Sequence, residues 1–244
     1  MSIALAHAKA ETIQLLRVPA FAIPIIVFPV IAILAFGRQV VDGEPDRLLA
    51  GFAAMAVLGV TFFQFGVAVA TSRLFTWETY LRTLPVGGGA RLLGKVLSGL
   101  GFATVSVVAV CLAGNAVFDA SPSPLRAAGL VAALLLGCIP FALLGIALGY
   151  WLPPRAALPV ANLAFLPFAI AGTFWKRAPD DLPRVADVAW QLVPTRSWME
   201  VLDSVATGDS RLPLHHVATL VGWTVVFGGL AWWGYRRDEG ERFR

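Results

Sequence analysis

Charged residues are scarce in this sequence. Asp, Glu, Lys and Arg make up 14% of its 244 residues, whereas 58% of the residues are apolar. A soluble domain averages about a quarter charged residues. The charges are also bunched, which leaves six uncharged stretches of about 19 to 25 residues, and about 20 residues cross a bilayer as a helix. This shortage excludes an ordinary water-soluble enzyme and a disordered chain.

Cysteine is equally scarce, with Cys111 and Cys138 alone in the sequence, each inside an apolar run. They predict neither a disulfide scaffold nor a metal pair. The alternation of apolar and polar residues that is typical of an outer-membrane barrel is missing as well. A cleavable signal peptide is not expected, because His7, Lys9 and Glu11 precede the first long apolar run.

The six uncharged stretches predict an all-α membrane protein with six transmembrane helices. Backbone polar groups in hydrocarbon must be satisfied internally, and a helix does this within one segment. We expect a single six-span transmembrane domain over residues 18–235. Its predicted spans are 18–36, 48–70, 96–118, 127–151, 156–175 and 217–235.

Lys and Arg in the flanking segments predict the orientation of the chain. An even number of spans places both termini on one side of the membrane. That side holds 11 of the 19 Lys and Arg residues but 5 of the 15 Asp and Glu residues. Both termini are therefore predicted to be cytoplasmic.

The two ends of the chain lie outside the predicted spans. Residues 1–17 predict an amphipathic helix at the inner membrane interface, with Ile13 and Leu16 toward the membrane. The alternative for this segment is a frayed tail. Residues 236–244 predict a short cytoplasmic tail.

Two connections between the spans are longer than a plain turn. Residues 71–95 form the longest predicted cytoplasmic loop, with a short helix that ends before Pro85 and a break at glycines 87–89. Residues 176–213 predict two short external helices, the second with Thr195 as its candidate N-cap. A solvated loop is the alternative for this external segment.

One motif is similar to a nucleotide-binding loop. Residues 89–95 match G-x-x-x-x-G-K, but Val96 stands where a Ser or Thr hydroxyl would hold Mg²⁺, and no strand is predicted before it. We therefore expect a membrane-interface turn here, and no metal or cofactor bound by this chain. The adjacent His215 and His216 cannot share one helix face around a metal.

Asp, Glu, Lys, Arg and His are missing from all six predicted spans. Ion-driven transporters usually carry acids or His there as relays. An energy source outside this chain is therefore expected. The net charge of +4 is weak evidence for nucleic acid, and no nucleic-acid partner is expected. A lipid-modifying enzyme at the outer interface is an alternative, which would need His215, His216, Asp180 or Asp181.

Five sequence segments, taken in order, resemble one family. They read ETIQLLRVP over 11–19, FFQFGVA over 62–68, ETYLRTLP with a following LLGK over 78–95, LGIALGY over 144–150 and ANLAFLP over 161–167. Together they resemble the ABC-2 type transporter permeases, the membrane subunits of bacterial ABC exporters. The sequence departs from the family where Glu78-Thr79-Tyr80 lacks the glycine of the common Glu-x-Gly-Thr.

The resemblance implies partners and an energy source. Two permease chains, as a homodimer or with a sister chain, would pair in the plasma (inner) membrane of a bacterium above two separate ATPase subunits. ATP and Mg²⁺ then belong to the ATPase partner. The resemblance implies ATPase contacts in the loop and the interfacial helix, at Glu78, Thr79, Leu81, Arg82, Leu84 and Pro85, with Glu11 and Arg17.

The resemblance also implies a substrate path between two permeases, lined largely by the second and fifth spans. By their positions in these spans, five residues are predicted to line the path or the seam of the dimer: Phe62, Gln64, Phe65, Asn162 and Phe165. Ordinary packing against lipid or the core is the alternative for each of them. Because the spans carry neutral aromatic and amide groups, we expect export of an amphipathic or hydrophobic substrate such as a drug, lipid or glycan-lipid. An energy-independent channel or transporter is a further alternative.

Overall fold

The structure is a computed structural model that describes residues 3–17, 19–40, 45–73, 88–118, 122–169, 192–208 and 214–242. Within these ranges the chain forms eight helices and no strand. They are α1 (Ile3–Leu16), α2 (Pro19–Val40), α3 (Pro45–Ser72), α4 (Gly88–Phe118), α5 (Pro124–Trp151), α6 (Pro154–Ala169), α7 (Pro194–Thr207) and α8 (Leu214–Arg242).

The predicted all-α class is confirmed. Four of the described helices are long and apolar enough to cross a membrane: α3, α5, Leu93–Phe118 of α4 and Leu214–Asp238 of α8. In α2 the side chains are described over Ile25–Arg38, and this part of the helix is apolar as well. The fifth predicted span continues beyond the described end of α6. The full six-span topology therefore stays a prediction.

Helix α3 lies at the centre of the bundle. Every side chain from Leu48 to Phe62 is buried, and the helix contacts α2, α4, α5, α6 and α7. Ala and Gly are frequent on it, and small residues let neighbouring backbones approach closely. A helix that is apolar all round is suited to such an enclosed position.

Contacts between helices fix their relative directions. The side chain of Leu49, early in α3, fills the space beside Gly114, late in α4, whereas Phe65 lies beside Gly99, early in α4. Helices α3 and α4 are therefore antiparallel. Helix α2 ends beside the end of α4, where Phe118 fills the space next to Gly37.

Helices α5 and α8 run in the same direction as α3. Arg73 follows α3 and contacts the backbone at the end of α5, and Asp238 near the end of α8 pairs with Arg73. We call this the α1 end of the bundle, because Glu11 of α1 pairs there with Lys95 at the start of α4. Both α1 and the end of α8 thus lie at one end.

The opposite end, which we call the α7 end, holds the second predicted external helix. In α7 the Trp198 side chain is completely buried, and Val201 and Leu202 are buried beside it. The alternative of a solvated loop is therefore wrong for 194–207. Gly208 ends the helix with a left-handed φ of 73°, a conformation that suits glycine. The first predicted external helix lies outside the described residues.

The cap predicted for α7 is also corrected. Val193 occupies the N-cap position and Pro194 is the first helical residue, because proline's fixed φ and missing N–H suit the first turn. Thr195 lies inside the helix, where its hydroxyl is buried without a hydrogen-bond partner.

Helices extend further into the predicted loops than expected. Helix α3 continues to Ser72 and α4 begins at Gly88, so Gly88 and Gly89 lie in the first turn of a helix. The short helix predicted before Pro85 lies outside the described residues. The added turns of α4 pack against α1, where Gly94 lies beside His7 and Ala8. Similarly, α8 runs through much of the predicted tail to Arg242.

Helix α1 packs on α4 through small residues, with Ala4 and Ala8 buried. A frayed tail therefore does not describe residues 3–17. Ile13 is 39% exposed and Leu16 is 55% exposed, so both lie on the outward side of the helix. This placement supports the predicted contact of Ile13 and Leu16 with the membrane.

Candidate functional site

The second predicted span changes its helical geometry in the middle. After Val60, α3 forms a π-helix over Thr61–Val67 and returns to an α-helix at Ala68–Ser72. Helix α5 lies directly against this π-segment, since a Cβ atom on Gly145 would collide with the Thr61 carbonyl. Short π-segments within α-helices are found frequently at functional sites.

Aromatic rings connect the π-segment to α6. The Phe165 ring lies 6.4 Å from that of Phe62 and 5.8 Å from that of Phe63, and Phe168 lies 5.7 Å from Phe62, between ring centroids. These separations lie in the range of favourable aromatic pairs. The second and fifth predicted spans therefore meet through phenylalanine.

The aromatic contacts continue beyond these two helices toward the α7 end. Phe168 lies 6.1 Å from Phe141 of α5, and Phe141 lies 5.4 Å from Trp198 of α7. On the other side, Phe165 lies 6.4 Å from Phe28 of α2. We call this series of rings the aromatic track: Phe28, Phe62, Phe63, Phe141, Phe165, Phe168 and Trp198. It crosses the bundle without a charged side chain among its members.

The structure separates the five predicted path residues into different surroundings. Phe62 and Phe165 belong to the aromatic track, whereas Phe65 packs beside Gly99 of α4. Gln64 is buried and faces α4. Asn162 is exposed on the outer side of α6 and donates a hydrogen bond of 3.0 Å to the Leu158 carbonyl. Within one chain, Asn162 therefore does not join Phe62 and Phe165.

A chain of polar contacts joins α1 to the π-segment through α4. The Gln64 amide donates to the Ser98 hydroxyl at 3.2 Å, and Ser98 shares a hydrogen bond of 2.9 Å with Thr12 of α1. One turn away, Lys95 and Glu11 form an ion pair of 3.3 Å. The Gln64 carbonyl oxygen is buried without a partner. Ser98 is therefore the link between α1 and the centre of α3.

Arg73 forms a second connection at the α1 end. Its guanidinium donates to the carbonyls of Gly149, Tyr150 and Leu152 at 3.1, 3.0 and 3.2 Å. The same guanidinium pairs with Asp238 at 2.6 Å, and the Asp238 side chain is 6% exposed. A cation at the C-terminal end of a helix is favoured by the unpaired carbonyls and the helix dipole. We call this set of contacts the Arg73 clasp; it joins the ends of α3, α5 and α8.

The predicted ATPase contacts in the loop lie outside the described residues. They are Glu78, Thr79, Leu81, Arg82, Leu84 and Pro85. The two predicted contacts on the interfacial segment are described: Glu11 pairs with Lys95, and Arg17 is exposed directly after α1. Arg73 is not among the residues that the sequence predicts for the site, although a cation at the end of an apolar run marks the end of a span.

Ion pairs also fasten the α7 end. Arg47 at the start of α3 makes a two-pronged contact with Asp203 of α7, and Arg126 of α5 lies 3.8 Å from Asp46. Trp198 fastens the same helix to α5, because its indole N–H donates to the Ala133 carbonyl at 2.8 Å. Helix α7 is thus held on several sides.

Of the four residues that a lipid-modifying enzyme would need, the structure describes His215 and His216. His216 lies 3.2 Å from the buried Ser197 hydroxyl, and the His215 and His216 rings are 3.9 Å apart. Asp180 and Asp181 lie outside the described residues. Among the residues that the structure does describe, no group of three or more His, Cys, Asp or Glu is placed to hold a metal ion.

The near-match to a nucleotide-binding loop has a structural explanation. Residues 89–95 lie within α4, not in a loop that precedes a helix. Gly94 is buried against α1, and Lys95 pairs with Glu11. Both residues therefore serve the packing of α1 on α4.

Comparison with known proteins gives one relative over nearly the whole chain. No family model matches the sequence. The chain is 20% identical over 230 residues to the Bacillus subtilis protein named "Putative transport permease YvfS". The matched residues cover 92% of this chain and 85% of that protein. This similarity confirms the resemblance to a transporter permease. Four of the described helices are long and apolar enough to cross a membrane, which agrees with this similarity.

Proposed function

We propose that this chain is the transmembrane permease subunit of an ATP-driven exporter in a bacterial plasma membrane. Its substrate is amphipathic or hydrophobic, such as a drug, a lipid or a glycan-lipid. A separate ATPase subunit hydrolyses ATP. The observation that carries the proposal is the similarity to a transport permease over 92% of the chain.

The chain's own residues support an external energy source. The predicted spans contain no ionisable side chain that could relay protons or bind a coupling ion. In the G-x-x-x-x-G-K match, Gly94 packs against α1 and Lys95 pairs with Glu11. ATP hydrolysis is therefore assigned to a partner.

The aromatic track supports an apolar substrate. Phe62 and Phe165 are buried between the second and fifth predicted spans, and the rings of Phe63 and Phe168 lie beside them. Neutral aromatic surfaces bind apolar groups without the cost of desolvating a charge. Asn162, on the outer side of α6, is assigned to the seam with a second permease copy or a sister chain.

Energy transfer is assigned to the α1 end. The predicted coupling loop lies between Arg73 at the end of α3 and the start of α4, so a force on the loop acts on both helices. From Arg73 the clasp reaches α5 and α8, and from α4 the Ser98 contacts reach α1 and Gln64. In this mechanism, closure of the ATPase subunits tilts these helices and opens the path outward.

Capture of a partner tests the proposal. The tagged chain is coexpressed with a candidate ATPase subunit from the same organism, and the membrane extract is purified on the tag. We expect the ATPase to copurify, and we expect Glu78→Ala and Arg82→Ala to lower its recovery. Arg38→Ala, at the α7 end of α2, is the matched control and should leave recovery unchanged.

Two results would favour the other functions. Transport that persists in cells without any ATPase partner would replace the proposal with an energy-independent channel. Loss of function specifically in a variant that lacks Asp180, Asp181, His215 and His216, with ATPase capture intact, would favour a lipid-modifying enzyme.

A further inference from the structure

A cavity of about 210 Å³ lies at the α1 end, between the ends of α3, α5 and α8. Its charged and aromatic lining residues are Arg73, Tyr150, Trp151, Arg237 and Asp238. A water molecule takes up about 30 Å³ in the liquid. The cavity therefore has room for the five heavy atoms of a phosphate group.

The described lining of this cavity holds more basic than acidic side chains. Arg73 and Arg237 supply two guanidinium groups and Asp238 supplies one carboxylate, so the described lining carries one net positive charge. The Arg73 Nε–H is buried without a hydrogen-bond partner, although the other nitrogens of Arg73 are occupied by the clasp. Guanidinium groups suit phosphate because they donate in a planar fork.

The surroundings place the cavity at the depth of lipid headgroups. Trp232 and Trp233 of α8 are 57% and 61% exposed. The Trp233 ring lies 4.7 Å from the Trp151 ring, and Tyr235 lies 5.6 Å from Tyr150. Trp and Tyr are enriched where a transmembrane segment crosses the membrane–water interface. A phosphate that enters this cavity can therefore remain attached to acyl chains in the bilayer.

We propose that the cavity between the ends of α3, α5 and α8 binds the phosphate of an anionic phospholipid. Arg237 is the main ligand: it lines the cavity, and its guanidinium carbon lies 5.6 Å from the centre of the Trp151 ring. The Arg73 Nε–H is a second donor. The α1 end is the predicted cytoplasmic side, where anionic lipids attract basic pockets between transmembrane helices.

Two adjacent arginines allow a sharp test. Arg237 lines the cavity, whereas Arg236 lies over Trp232 at 4.7 Å and is not among the lining residues. Arg237→Gln and Arg236→Gln remove the same charge from the same turn of α8. The full-length chain and both variants are purified in detergent, and binding of phosphatidylglycerol, phosphatidylcholine and inorganic phosphate is measured by native mass spectrometry and titration.

We expect the parent chain to prefer phosphatidylglycerol over phosphatidylcholine. Arg237→Gln should weaken phosphatidylglycerol binding about tenfold, since it removes a charge-assisted hydrogen bond, and Arg236→Gln should change it less than twofold. Should Arg237→Gln not fold, Arg237→Lys keeps the charge without the planar fork and should bind with intermediate affinity.

Three results would overturn the proposal. Equal weakening by the two glutamine variants would show general attraction to a basic surface. Equal affinity for the two lipids would remove the role of net charge. Inorganic phosphate that binds as tightly as phosphatidylglycerol would show that the ligand is a free anion. None of these measurements involves ATP or an ATPase subunit, so they are independent of the proposed export function.

Discussion

Single glycines decide how closely the helices of this bundle approach. Gly137 of α5 lies directly beneath the buried Trp198 ring, whereas Gly101 of α4 faces open space within 4 Å. A side chain is therefore excluded at Gly137 and has room at Gly101. At Gly137 the indole ring that fastens α7 fills the space where a side chain would lie. At Gly101 no atom of the described residues comes within 4 Å of that space.

We predict that Gly137→Ala destabilises the protein and that Gly101→Ala does not. The added methyl group at Gly137 collides with the Trp198 ring, and overpacking of this kind costs about 1–3 kcal/mol. Thermal unfolding of the detergent-purified chain measures both variants. Equal melting temperatures for the two variants would contradict the placement of α7 on α5.

Two ion pairs at opposite ends of the bundle differ in strength. At the α1 end, the Arg73 clasp combines three carbonyls with the nearly buried Asp238. At the α7 end, Arg126 is 47% exposed and lies 3.8 Å from Asp46. Exposed pairs contribute about 0–1 kcal/mol, whereas breaking a buried pair leaves an uncompensated charge.

We predict that Arg73→Gln and Asp238→Asn each lower the free energy of unfolding by about 1–3 kcal/mol. The double variant should lose less than the sum of the two, because removal of either residue already breaks the pair. Chemical denaturation of the four proteins in a double-mutant cycle measures this coupling. The matched cycle on Asp46 and Arg126 should give little coupling; a larger value there than at the clasp would contradict the account.

Ser98 and Ser106 lie on the same helix but contact different helices. Both are buried on α4, but Ser98 contacts Thr12 and Gln64, whereas Ser106 donates to the Ile25 carbonyl of α2. We predict that Ser98→Ala reduces substrate-stimulated ATP hydrolysis by the complex about twofold or more, since residues between coupled sites contribute about 0.5–2 kcal/mol. Ser106→Ala should preserve this stimulation. The ATPase rate with and without substrate tests it, and equal stimulation in both variants would remove Ser98 from the coupling route.

For the whole molecule, the sequence predicts helices well because a helix in hydrocarbon satisfies its own backbone. It also predicts α7, since Trp198, Val201 and Leu202 recur at helical spacing. The Arg73 clasp could not be predicted, because it depends on contacts with α5 and α8 that are distant in the sequence. None of the sequence patterns above identifies the π-segment. Asn162 and Phe165 are both predicted for the substrate path or the dimer seam, and the helical period places Asn162 on the outside of α6 and Phe165 on the inside.

The orientation of the bundle is a further prediction at this scale. Fluorescent protein fused after Arg244 should be fluorescent, and periplasmic phosphatase at the same position should be inactive, because both report a cytoplasmic terminus. Fusion after Phe118, at the α7 end, should give the reverse. Phosphatase activity after Arg244 would invert the predicted topology.

The central claim is that this chain moves an apolar substrate with energy from a partner's ATP hydrolysis. Uptake of a hydrophobic fluorescent dye into inside-out vesicles that contain the chain and its ATPase subunit tests it most directly. We predict that accumulation requires both ATP and the partner and stops with a non-hydrolysable ATP analogue. Accumulation that proceeds equally without ATP or without the ATPase subunit would contradict the account.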